Sequence, residues 1–106
     1  MEELNLDSEL LKPIKEGLEN SINVLTKNAL LTKKEAEITL KINIGVNTKE
    51  HKGKTWTEPQ IEYQINDKIK EAKTSYKDDL GFNYKIELDK NNNILVQNMA
   101  EQTKIF

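Results

Sequence analysis

The amino-acid sequence predicts an α+β fold: one N-terminal amphipathic helix packed on a four-stranded antiparallel sheet. Three observations carry this. Leu11, Ile14, Leu18, Ile22, Leu25 and Ala29 recur at helical spacing, which gathers them into one stripe. Ala36, Ile38, Leu40, Ile42, Ile44 and Val46 alternate strictly with polar residues, as a strand with one dry and one wet face requires. Later alternating runs then flank an Asp/Asn-rich turn.

Asp7 or Ser8 is placed to cap the helix, and Glu9 sits in the first turn, where the helix dipole favours a carboxylate. Pro13 leaves two options: the regular helix begins near it, or the helix kinks there. The helix is expected to end at 28–31. Gly17 weakens it by about 1 kcal/mol relative to Ala and suits close approach of another backbone. Thr32-Lys33-Lys34-Glu35 has capping-box spacing, but period two follows it, so it reads as a turn.

The first strand is expected over 35–47. Residues 48–58, with Gly53, read as a polar connection between antiparallel strands. Ile61, Tyr63 and Ile65 alternate like a strand, while Ile61, Ile65, Ile69 and Ala72 also fit a helix. A strand over 60–69 is preferred, because the first strand needs a partner. Residues 70–80 form a polar connector. Phe82, Tyr84, Ile86 and Leu88 alternate next, Asp89–Asn93 turns, and Ile94–Met99 returns. Residues 1–99 are read as one domain and 100–106 as a mobile tail.

All sixteen cations are Lys, set against eighteen acidic residues, for a net charge of −2. That balance opposes non-specific nucleic-acid binding, and without Arg the planar fork that reads guanine is missing. With no Cys, thiolate zinc sites, disulfides and thiol catalysis are excluded. No apolar run approaches the roughly 20 residues of a membrane span, and the acidic start lacks the order of a signal peptide. A cytoplasmic protein is expected.

The candidate binding residues are Lys49, His51, Lys52, Lys54 and Trp56, which hold the only His and the only Trp. Lysines around an exposed Trp suit phosphate contact with base stacking; a solvated loop with Trp56 folded back is the alternative. His51 has no second His or Cys with which to form a zinc site, so no metal and no cofactor are expected. Asp89–Asn93 begins like a calcium loop, but Ile94 stands where Gly is needed and Ala100 where Glu is needed. Asp78-Asp79 and Glu2-Glu3 lack the apolar surroundings that push two pKa values apart, so no enzyme is expected. Tyr63, Phe82 and Tyr84 fall in phase with the aliphatic residues, and Glu37, Glu62, Glu87 and Asp89 outnumber Lys41 and Lys85 on the outward side. The sheet face therefore repels phosphates.

The leading helix, the run Lys33–Ile44, the strand at Gln60–Ala72 and the closing hairpin at Tyr84–Met99 together resemble the small phage and prophage proteins called "replication terminator protein" in low-GC Gram-positive bacteria. The resemblance spans most of residues 8–99 and departs from the family in the Lys-Asp-Asp-Leu-Gly connector and in the absence of Arg. It implies a phage-derived accessory protein made in a bacterial cytoplasm and assigns no functional residue. With exposed strand edges, the expectation is a non-enzymatic homodimer that binds a bacterial host or anti-phage defence protein. A nucleic-acid accessory factor using the Lys49–Trp56 loop is the alternative.

Overall fold

The computed structural model describes residues 1–70 and 80–100. In order these form a 3₁₀ turn (Glu9–Leu11), helix α1 (Lys12–Thr32) and strands β1 (Glu35–His51), β2 (Lys54–Lys70), β3 (Tyr84–Leu88) and β4 (Ile94–Asn98). The α+β class and the four strands agree with the sequence. The strands, however, divide into two two-stranded sheets, β1–β2 and β3–β4, in place of one sheet of four. Each pair closes on itself through a short turn, and a five-residue strand satisfies little of a 17-residue edge. The chain separates into two compact units, one of residues 1–21 and 38–67, the other of 22–37 and the described residues from 68 on. Most of the expected 70–80 connector and of the expected C-terminal tail lies outside the described residues.

Pro13 falls in the first turn of α1, where its missing N–H would have had no helical partner, so the helix begins beside it. Ser8 precedes the 3₁₀ turn, yet its hydroxyl does not cap it. It accepts instead from the Asn5 N–H at 2.9 Å, while Asp7 pairs with Lys15. At the other end Lys33 takes a left-handed φ of 61°, and its N–H donates to the Ala29 carbonyl at 2.9 Å. Thr32 Oγ1 donates to the Asn28 carbonyl at 2.8 Å. The capping-box pattern therefore marks a helix end, one residue beyond the expected limit.

The helix stripe supplies the buried hydrophobic residues among those described: Ile14 in the first unit and Leu25 in the second, each 9% exposed. Gly17 does make close approach possible, but to side chains and not to backbone. A Cβ there would stand 3.1 Å from Ile65 Cδ1 and 3.8 Å from Tyr63 Cε2.

The β1–β2 hairpin differs most from expectation. The stretch read as a connection is strand on both sides of a two-residue turn, because Lys52 (φ 51°) and Gly53 (φ 79°) both adopt left-handed backbone. That pair is a type I′ turn, whose twist matches that of the strands it joins. A two-residue turn also fixes the register. It sets Ile44 opposite Ile61, Ile42 opposite Tyr63 and Leu40 opposite Ile65, all on one face. Gly45 falls opposite Gln60, in agreement with the nearest atom to a Cβ at Gly45 being the Gln60 carbonyl oxygen. Near the base, Lys70 Nζ bridges Glu37 Oε1 at 3.1 Å.

Lys52 holds a conformation that side chains other than Asn and Asp avoid. Lys52→Asn is expected to stabilise the hairpin by about 0.5–1 kcal/mol, read as a rise in the urea midpoint at fixed protein concentration. A fall in the midpoint would show that the turn is held by its strands alone.

In the second unit β3 and β4 pair antiparallel, with Tyr84 opposite Asn98, Ile86 opposite Val96 and Leu88 opposite Ile94. Their turn is organised by Asp89, whose Oδ1 accepts the N–H groups of Asn91 and Asn93 at 2.8 Å each. Asn92 supplies the left-handed residue, with φ 63°. Phe82 was expected in the strand but precedes it, because Asn83 turns left-handed and the Tyr84 N–H closes on the Gly81 carbonyl.

Candidate functional site

The hairpin tip collects the sequence-predicted residues. In the register set by the turn, Lys49 lies directly opposite Trp56 and His51 opposite Lys54. Side chains alternate along each strand, so these four share one face. Lys52 sits at the apex, in the turn itself. Glu50, Thr48 and Thr55 take the reverse face, which leaves three cations and an indole unopposed by Glu50. Trp56 is 48% exposed. It is not folded away, and its ring is open to a flat partner. Glu58 and Glu62 continue the same face toward the base and limit the positive patch to the tip.

The opposite face of the hairpin is apolar and incompletely covered. Exposure rises along β1 from Leu40 (36%) and Ile42 (41%) to Ile44 (77%) and Val46 (71%). The Gly17–Ile65 approach places the first turns of the helix against Tyr63 and Ile65. Ile44 and Val46 extend beyond it. Tyr63, expected to point into a core, is in phase with Ile61 and Ile65 but remains 44% exposed.

A second apolar surface lies on the β3–β4 hairpin, a shallow depression lined by Leu80, Gly81, Tyr84, Ile86 and Val96. Tyr84, in phase as expected, is 50% exposed, and Phe82 beside it 74%. For Tyr63, Phe82 and Tyr84, periodicity alone points toward a core, and the structure leaves all three exposed. A signal was available: a helix about 10 Å across spans little more than two strands spaced at about 4.8 Å, so one helix does not cover four.

Among the described residues, no group of three His, Cys, Asp or Glu side chains stands ready to hold a metal ion. Asp89, the first residue of the rejected calcium loop, directs its carboxylate at its own turn. The Asn93 backbone N–H, helped by the Asn91 N–H, the Asn93 side chain and the charge of Lys27, holds its pKa below the usual carboxylate value. A depressed folded pKa means that the contribution is complete above the ordinary value and is lost as pH falls through the folded one. The Asn91 and Asn93 amides should therefore lose exchange protection below about pH 4, and Asp89→Asn should remove most of that dependence. Protection that persists unchanged at pH 2 would refute the role of the carboxylate. Asp7 titrates in the same direction because Lys15 hydrogen-bonds to it, and Lys15 is raised in return, so that its share is lost only above the usual lysine range.

Among the described residues, no helix is long and apolar enough to cross a membrane. The chain matches no protein-family model, no curated protein and no solved structure.

Proposed function

We propose that this chain is a non-enzymatic, phage-derived accessory protein of the bacterial cytoplasm that acts as a homodimer. It binds, and so modulates, a host or anti-phage defence protein. The observation that carries this reading is the apolar face of the β1–β2 hairpin beyond the helix, where Ile44 and Val46 stand 77% and 71% exposed. Contiguous apolar surface rimmed by polar side chains is what partner surfaces look like before they are covered. The resemblance to the phage and prophage family supplies the cellular setting.

The test is affinity purification from a low-GC Gram-positive host, followed by direct binding of each recovered protein to the purified chain and to its Ile44→Asp/Val46→Asp variant. A partner that binds the parent and not the variant supports the reading; equal binding to both overturns it.

The nucleic-acid alternative gains one specific support, the shared face of Lys49, Lys54 and Trp56. A two-stranded ribbon also fits a DNA major groove. Against it stand the net charge of −2 and the Glu58–Glu62 continuation. Filter binding over a salt series decides: affinity that is unchanged when Lys52, Lys54 and Trp56 are replaced by Ala ends this alternative.

A further inference from the structure

The two outer edges of the β1–β2 hairpin are not equivalent. In a hairpin closed by a two-residue turn, the residues flanking the turn are hydrogen-bonded to each other, and bonded and non-bonded pairs then alternate. His51 and Lys54 are therefore a bonded pair, and the even-numbered residues of β1 turn their N–H and C=O groups away from β2. On β2 the odd-numbered residues face outward, and Pro59 is one of them. It has no N–H to offer, so the ladder on that edge is interrupted midway along the strand. The β1 edge carries no proline from Glu35 to His51 and displays Ile38, Leu40, Ile42, Ile44 and Val46 in succession. A long, unbroken, apolar edge is the kind that recruits another strand.

The sequence of β1 is complementary to itself when reversed about its midpoint, Asn43. Antiparallel overlap of two complete copies of β1 sets Ile42 against Ile44 and Leu40 against Val46 on the apolar face, twice over. On the polar face Glu37 meets Lys49, a pair of opposite charges. Lys41 meets Gly45, where the absent side chain contributes to a shallow hollow between Asn43 and Gln60. The even-numbered residues whose polar groups point outward are the ones this register brings into hydrogen-bonded pairs. Apolar contacts, charge and backbone polarity are all met in this alignment, and complete overlap of the 17 residues distinguishes it from registers shifted by two.

We infer that a second copy of this chain pairs along the β1 edge, antiparallel and about a two-fold axis through Asn43, giving a continuous four-stranded sheet in the order β2–β1–β1–β2. The pairing specifies the homodimer of the proposed function and rests on that part of it. A two-fold axis normal to the sheet keeps both apolar faces on the same side, so the dimer presents one joint platform. An extended segment of another protein on the same edge is the competing occupant.

The chain has no cysteine, so single substitutions report cleanly. Light scattering should give twice 12.3 kDa at micromolar concentration. Asn43→Cys should form a covalent dimer on mild oxidation, since Asn43 faces its own copy across a non-bonded pair. Asn47→Cys should not, because its two copies lie about 26 Å apart in this register. Lys49→Glu should weaken association about tenfold by setting like charges at both symmetric positions, and Lys49→Gln, which leaves the Glu37–Lys70 bridge intact and adds no repulsion, should weaken it less. A monomeric parent protein overturns both this inference and the homodimer. A dimer that fails to cross-link at 43, or cross-links at 47, keeps the homodimer and overturns the register. A dimer that cross-links at 43 while no host partner is found upholds the pairing and removes the proposed function.

Discussion

Leu25→Ala is expected to lower the stability of the fold by about 3 kcal/mol, the middle of the range for truncating a buried leucine. Leu25 is 9% exposed and is one of two hydrophobic residues among those described that reach that depth. The loss has two parts, the transfer free energy of the deleted carbons and the cavity left when neighbours cannot close over it. Domains of this size hold roughly 5–15 kcal/mol in all, so a single truncation removes a large share. Ile22, on the same helix, is 49% exposed, and its truncation should cost under about 1 kcal/mol. Urea unfolding followed by circular dichroism, at one protein concentration throughout, separates the two. Equal losses at Leu25 and Ile22 would mean that the depth of burial seen here does not govern stability.

Ile44→Asp/Val46→Asp should behave in the opposite way. Both side chains already stand mostly in water, so the substitutions remove little burial within the chain, and the loss of strand propensity and of the Ile44–Ile61 pair should cost up to about 1 kcal/mol per site in any unassociated form. On a surface that closes against a partner, the same carboxylates must be desolvated without a counter-charge. A hundredfold or greater loss of binding, about 2.7 kcal/mol, is expected, the scale of a central contact. Isothermal titration with the purified partner measures it directly. A folded variant that binds as tightly as the parent would place the contact surface elsewhere, with the Tyr84–Val96 depression as the next candidate.

How much of this was legible depends on where each signal resides. The alternation from Ala36 to Val46 and the stripe from Leu11 to Ala29 are local and one-sided, and both located their elements, although β1 runs four residues past its expected end at 47. The Asp89–Asn93 turn was legible because a side-chain carboxylate bonding its own backbone needs nothing from a distance. Residues 48–58 were not, because the hairpin tip is solvated on both faces, and alternation vanishes when neither side is dry. Once the turn is narrowed to Lys52-Gly53, the common face of Lys49, His51, Lys54 and Trp56 follows from arithmetic; with a loop of unknown length it did not. The division into two sheets was hidden for a different reason. Strand pairing is settled by long-range closure, and alternation marks a dry face without saying what dries it.

Pro59 has a consequence for solubility. A ribbon of alternating isoleucines with two open rims would add chains at both sides and grow without limit, as fibrils do. One missing amide hydrogen on the β2 rim denies an incoming strand a bond there, so an assembly that pairs through β1 as proposed would be opposed from continuing through β2. In the proposed dimer, the residue that looks least at home in a strand is the one that would keep the assembly finite.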